Sequence, residues 1–248
     1  MTQKVLWQRR AIGFISVVVF ISIWDHCSAT GVLDADLFPS FVGILKRCLI
    51  LLTNREFLTG DVAASLARFA IASVITVPLA VLLALTSALV PWFWSVVSPF
   101  FNFTLPLPKV AIFPLILAQF GIGDTGKITL IGIGMFYPLF LNVFRGATRL
   151  KSAEWTDLIA IYRIRGIKLW YRYYLRGLRI DLVTGLKTSF GYGFTLVIVS
   201  ELTASRNGIG NFIWRSWDAY NIVDMYAGVI ILCFIGWLMQ AALDRLSP

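Results

Sequence analysis

Ionisable side chains are scarce in this 248-residue chain: 14% of residues are charged, against about 25% in an ordinary soluble domain. There is one histidine, His26, with no Cys, Asp or Glu cluster around it, so no metal site is expected. The three cysteines, Cys27, Cys48 and Cys233, lie in or beside apolar runs without C-x-x-C spacing, which argues against a disulfide framework. One histidine also leaves no Ser/His/Asp or Cys/His constellation, and no two carboxylates stand at an obvious catalytic spacing. No stretch is polar enough to form a large extramembrane domain. What the chain has instead is apolar surface: 58% hydrophobic residues and a mean hydropathy of +0.79. No water-soluble fold of this size hides that much. A helical span needs roughly 20 apolar residues, so the length accommodates about six spans plus loops.

The formal charge is +9, from 22 Lys and Arg against 13 Asp and Glu. In a soluble protein this excess would suggest nucleic acid. In a membrane protein the positive-inside rule explains it, and no nucleic-acid partner is expected. Nine of the 22 basic residues fall in 145–179, a stretch too long for a turn and too polar to span, which places it in the cytoplasm. The basic start, Lys4 to Arg10, belongs on the same side. Residues 11–24 are uncharged and form a first span. That run ends in Trp24 and Asp25 without a good cleavage site, so a retained span is expected rather than a signal peptide.

Residues 31–39 carry Asp34 and Asp36 and no basic residue, as an external loop should. After Pro39-Ser40, apolar residues recur at helical spacing through 41–52 beside Lys46 and Arg47, and an interfacial amphipathic helix is expected. The second span is read at 61–89, with a kink at Pro78. Residues 90–108 are aromatic and Pro-rich. They suit a short interfacial helix and then a Pro-broken entry into a third span at 110–120. Broken backbone at membrane depth is tolerated only where it is buried or lines a cavity, so the break hints at a pathway. The remaining spans are read at 128–144, 182–202 and 223–243, with a turn at 121–127 and an external or re-entrant segment at 205–220. The fifth span is rich in small residues (Gly185, Ser189, Gly191, Gly193), which suits close helix packing. Six spans put both termini in the cytoplasm.

Gly121 to Lys127 fits G-x-x-x-x-G-K, most of a phosphate-binding loop. The residue that should carry the magnesium-binding hydroxyl is Ile128, and no strand precedes the glycines, so nucleotide binding is not expected there. Four charges fall within spans: Arg68, Lys109, Lys187 and Glu201. Such residues usually face a bundle interior or a water-filled cavity. They are candidates for a translocation pathway, the other readings being internal ion pairs or snorkelling end residues.

Four stretches stand in order across most of the chain, about 60–239: Ala64-Ser-Leu-Ala-Arg68 with Pro78-Leu79; Pro106-x-Pro-Lys-x-Ala111-x-x-Pro114-Leu115 followed by Phe120-Gly-Ile-Gly123-Asp-Thr-x-Lys127; Thr184-Gly-Leu-Lys187 running to Glu201-Leu202; and Gly208-Ile-Gly210. On these stretches the chain resembles the membrane-spanning permease subunits of binding-protein-dependent ABC importers, in the taurine/sulfonate/nitrate/bicarbonate branch. The resemblance implies an all-α membrane protein with the type I importer permease fold, about six transmembrane helices and a cytoplasmic loop of coupling helices. It implies residues 1–59 as an N-terminal span plus external helix, and 60–248 as the core permease, with the coupling loop at about 145–180. It also implies a bacterial inner-membrane location and no cofactor on this chain. The implied partners are two cytoplasmic ATPases, a second permease of the same or different sequence, an external or periplasmic solute-binding protein, and membrane lipid.

The family's coupling pattern is Glu-Ala-Ala, three residues, Gly, nine residues, Ile-x-Leu-Pro. It fits here with Asp157 in the Glu place, Leu158 and Ile159 for the Ala pair, Arg163 for Gly, Tyr173 for Ile, Leu175 for Leu and Arg176 for Pro. Only Leu175 is identical. Segments 152–163 and 167–175 would be the short coupling helices, with Trp155 among the aromatic anchors. The implied function is a permease subunit with no chemistry of its own, moving a small organic or inorganic anion such as a sulfonate, nitrate or bicarbonate. A secondary transporter or channel subunit without an ATPase is the alternative, and a membrane enzyme the third.

Overall fold

The computed structural model describes residues 3–151 and 175–245, with residues 3–10, 14, 175 and 204 described by backbone alone. Trp155, Asp157, Ile159 and Arg163 lie outside the described residues. Among the described residues all regular structure is helical. The helices are α1 (Gln3–Ala29), α2 (Phe41–Thr53), α3 (Ala63–Leu89) continuing a π-helical turn Phe57–Val62, α4 (Pro91–Thr104), α5 (Phe113–Phe120) after a 3-10 turn Lys109–Ile112, α6 (Asp124–Leu150), α7 (Arg179–Ala204) after a single turn Leu175–Gly177, α8 (Ile209–Asp218) and α9 (Ile222–Asp244).

Five segments are long and apolar enough to cross a membrane: Ala11–Ala29, Phe57–Leu89, Asp124–Leu150, Arg179–Thr203 and Ile222–Asp244. The expected third span at 110–120 is not one of them. Its helical part is the eight-residue α5 and a four-residue 3-10 turn, well short of the ~30 Å of a bilayer core. The unit is instead α4 together with Lys109–Phe120, bent by 93° at the Pro106/Pro108 break.

Long-range contacts decide whether that bent pair crosses. Arg68 near the start of α3 meets Asp124 at the start of α6. At the other end of both helices, the Lys151 ammonium lies 3.5 and 3.4 Å from the carbonyls of Ala88 and Leu89. Thr76 and Gly132 approach each other in the same register between them. So α3 and α6 run parallel. Each has 27 residues, about 40 Å at ~1.5 Å per residue. The segment between them therefore returns the full length of the bundle, and the bent pair is a sixth crossing rather than a re-entrant loop.

The other directions follow. α7 runs antiparallel to α6, with Asp181 beside Arg149 at one end and Ser189 donating to the Met135 carbonyl at 2.7 Å midway. α9 is antiparallel to α7: its Asp244 pairs with Lys187, and its Gln240 donates to the Lys187 carbonyl. The expected close packing holds for Gly185, Ser189 and Gly193, which share one face of α7 against α6. A Cβ on Gly193 would lie 2.7 Å from the Met135 sulfur, and one on Gly185 3.0 Å from a Leu139 methyl. Gly191 faces α9 instead.

α6 outruns the apolar stretch read at 128–144 at both ends. Val143, Ala147 and Leu150 keep the helical period beyond Phe144 and are buried against Ala84, Ala88 and Leu178. Pro78 lies inside α3, which remains one element. α2 begins after Pro39 because Ser40 caps it, its hydroxyl accepting from the Gly43 amide at 3.2 Å. Its apolar stripe Ile44, Cys48 and Leu51 packs on Ala227 and Ile231 of α9, so this face of the helix is covered by protein.

Candidate functional site

Asp61, Ser65 and Arg68 stand at i, i+4 and i+7 and so share one face of the helix that crosses from Phe57 to Leu89. That face meets the end of α7 and the turn into α8. Glu201, wholly buried near the end of α7, accepts from Arg68 at 2.7 Å, from the Ser65 hydroxyl at 2.9 and 2.8 Å, and from the Gly210 amide at 3.0 Å. Arg68, 3% exposed, also donates to the Asn207 carbonyl at 3.0 Å and to Asp124 at 2.9 Å. The Gly208 amide donates to Asp61 at 2.9 Å, and the Ile209 amide to the Ser65 hydroxyl at 2.9 Å. Asp61 further pairs with Arg215 of α8 at 3.3 Å. A buried charge is tolerable only when paired and saturated with hydrogen bonds, and this network does both for Arg68 and Glu201.

The Gly208-Ile-Gly210 motif is explained by the same carboxylate. Gly208 has φ +118°, a backbone region open essentially to glycine, and a Cβ there would overlap the Glu201 carboxylate. A Cβ on Gly210 would lie 2.8 Å from the Ile198 carbonyl and 2.9 Å from the Glu201 Cβ. The two glycines let the first turn of α8 close over Glu201 and point its amides at acidic groups, as helix N-termini favour. Gly208→Ala should therefore lower the thermal unfolding midpoint of the purified protein, by backbone strain of about 1–3 kcal/mol plus the displaced carboxylate. Gly13→Ala, where nothing lies within 4 Å, should leave the midpoint unchanged or slightly raised.

The four intramembrane candidates separate into three places. Arg68 and Glu201 are bonded to each other. Lys187 lies toward the opposite end of the bundle, paired with Asp244 at 2.6 Å. Lys109 sits at the break in the bent span. Its ammonium donates to the carbonyls of Thr104, Leu105 and Leu107 at 2.6, 3.1 and 2.9 Å and lies 4.0 Å from the centre of the Tyr137 ring. The ammonium thus gathers the carbonyl of Thr104, the last residue of α4, and those of Leu105 and Leu107 in the Pro-rich break. Tyr137 bonds the Thr104 hydroxyl at 2.7 Å and ties the break to α6. A cavity of about 590 Å³ borders this point between α3, the break and α6, lined by Thr76, Leu79, Leu107, Lys109, Gly132 and Tyr137 among others. Leu175 and Arg176 form the single turn before α7, and Arg176 is exposed.

Several partners gave no signal as intramembrane charges: Asp61, Ser65, Asp124, Lys127, Asn207 and Arg215. The i, i+4, i+7 spacing of Asp61, Ser65 and Arg68 was the available clue. Arg47 and Asp224 form a further pair between α2 and α9. Its hydrogen bond to Asp224 holds the Arg47 guanidinium above its ordinary range. Burial pushes the Cys48 thiol up, so this cysteine is an unreactive core residue. Among the described residues no group of His, Cys, Asp or Glu could hold a metal ion.

Six apolar crossings, one of them broken at mid-bundle, with a buried charge lock at one end, define a polytopic integral membrane protein. The sequence match is more particular. Residues 62–248 match the model of the binding-protein-dependent transport system inner membrane component, and the chain belongs to that family. It is similar to a taurine transport system permease protein, TauC of Escherichia coli, at 23% identity over 94% of this chain and 86% of the relative. It is similar to a putative aliphatic sulfonates transport permease, SsuC of Bacillus subtilis, at 24% identity over 92% and 82% of the two chains. A nitrate import permease, NrtB of Synechocystis, is 23% identical over 93% and 84%. The chain is a permease subunit of an ABC importer and an inner membrane component.

Proposed function

We propose that this subunit carries a small anion of the sulfonate or nitrate kind inward across the membrane, driven by ATP hydrolysis on separate cytoplasmic subunits. The observation that carries the reading is the polarity of the bundle. The Arg68–Glu201 lock closes one end, and the basic segment between α6 and α7 leaves from the other, beside Arg149, Lys151 and Arg179. By the positive-inside rule that second end is cytoplasmic, which also puts both termini inside. The lock then faces the side on which a solute-binding protein delivers its cargo. Residues 145–180 are the surface offered to two ATPases, with Trp155, Asp157, Ile159, Arg163, Leu175 and Arg176 in the contact. Residues 1–59 flank the permease core of 60–248, consistent with a family match that begins at residue 62. A second permease chain completes the pore. The relatives' names support the anion class: taurine, aliphatic sulfonates and nitrate.

The pathway passes the broken span, and cysteine labelling tests this. In a chain with Cys27, Cys48 and Cys233 replaced, Leu107→Cys and Val110→Cys should react with a small polar thiol reagent, and the rates should change with nucleotide. Both native side chains are more than 40% exposed beside the break. Phe113→Cys, at a buried position, should stay inert. If Leu107→Cys and Val110→Cys are inert in every nucleotide state, the break is packed against protein or lipid and the pathway lies elsewhere.

A further inference from the structure

Beside the charge lock lies a second cavity, of about 660 Å³, whose lining includes Arg68, Asp124, Lys127, Arg206 and Asn207. Its basic residues are not equally occupied. The Arg68 donors are taken by Glu201, Asp124 and Asn207. Lys127 is different. It is 3% exposed, yet among the described residues its ammonium has a single acceptor, Asp124 Oδ1 at 3.4 Å. That oxygen already accepts from Arg68 at 2.9 Å. An ammonium carries three donors, and a buried one with a single long bond is costly unless something else meets it. Arg206 stands exposed at the rim, with no carboxylate at ion-pair distance among the described residues. The lining thus holds Arg68, Lys127 and Arg206 against Asp124, and the balance stays positive when Glu201 behind Arg68 is included. The first turn of the 27-residue α6 opens on the same space and adds the positive end of its dipole.

We propose that this cavity is a binding site for a small oxyanion, with Lys127 as the group that binds it and Arg206 attracting it at the rim. The proposal deepens the anion reading above and rests on it. Arg68 and Asn207 hold the wall, and Asp124 positions Lys127. The cavity is much larger than a nitrate or a sulfonate group, so recognition is by charge rather than fit and binding is weak. A transit site requires this: entry must be favourable and exit must remain easy.

The probes are methanesulfonate and its neutral isostere dimethyl sulfone, titrated onto the purified full chain and followed by saturation-transfer NMR. Wild type should give a saturable signal with methanesulfonate and none with dimethyl sulfone. Lys127→Met should weaken methanesulfonate binding about tenfold or more, the loss expected for a charged hydrogen bond. Lys127→Arg should keep most of it, and Arg206→Gln should weaken it less than Lys127→Met. An unchanged unfolding midpoint in Lys127→Met shows that the Arg68–Glu201 lock is intact. Equal binding by wild type and Lys127→Met overturns the site, as does equal binding of the sulfone, or no methanesulfonate signal at all. A companion uptake assay on the assembled importer, with taurine, methanesulfonate and nitrate, separates the two levels. Uptake of any of them with Lys127 irrelevant to binding defeats the site alone, whereas uptake of none defeats the anion reading beneath it.

Discussion

Replacing Arg68 with Met destabilises the folded permease by about 3–5 kcal/mol, the cost of leaving one half of a buried ion pair unpaired. Glu201, wholly buried, would then face only the Ser65 hydroxyl and the Gly210 amide. Glu201→Gln should cost less, because the amide keeps one acceptor oxygen for those donors, while Arg68 retains Asp124 and Asn207. The double variant Arg68→Met/Glu201→Gln should recover part of the loss, since no uncompensated charge remains. Unfolding of the detergent-solubilised chain by a denaturing surfactant gives the three values and the coupling between them. Additive losses in the double variant would show that the two side chains do not act as a pair. The effect is large because the pair joins α3, α6, α7 and the turn into α8 at one point.

The second large effect is on energy coupling. Leu175→Asp or Trp155→Asp should abolish solute-stimulated ATP hydrolysis by the assembled complex while the chain still inserts and co-purifies with its partner permease. An apolar or aromatic anchor replaced by a carboxylate loses about 2 kcal/mol or more of interface energy. Leu175 is the one residue identical to the Glu-Ala-Ala pattern, and Trp155 stands two residues before the pattern's first place, in the same basic segment. Undiminished stimulation in both variants would remove the coupling assignment from 145–180.

The architecture was largely legible because hydropathy reports burial in lipid directly. Five spans, the amphipathic α2 and the Pro-rich interruption could all be read from apolar runs and from Pro39-Ser40, Pro106 and Pro108. The third span was the exception. A run of 11 residues at 110–120 is apolar, but crossing requires the preceding α4, and the 93° bend between them is set by tertiary contacts. The parallel course of α3 and α6 has no local signature at all.

The site was legible in its rare members and not in its common ones. Arg68 and Glu201 stood out because a charge inside an apolar run is unusual. Asp61, Asp124 and Asn207 stood near segment ends, where polar residues are ordinary, and their pairing spans 56 to 147 positions of sequence. Lys109 stands out in the sequence as a charge beside a Pro-rich break. What sequence spacing alone does not reveal is that its ammonium meets three carbonyls at the break, those of Thr104, Leu105 and Leu107. Lys127, inside a misleading phosphate-loop pattern, has a charged neighbour that the pattern does not predict.

The most direct test of the account as an ATP-driven importer subunit is the intact mass of the complex that co-purifies with a tag on this chain in mild detergent. The account predicts two permease chains, of this sequence or of this and one other, bound to two ATP-binding-cassette subunits. A stable complex containing this chain and no ATPase, from membranes that retain uptake activity, would contradict it.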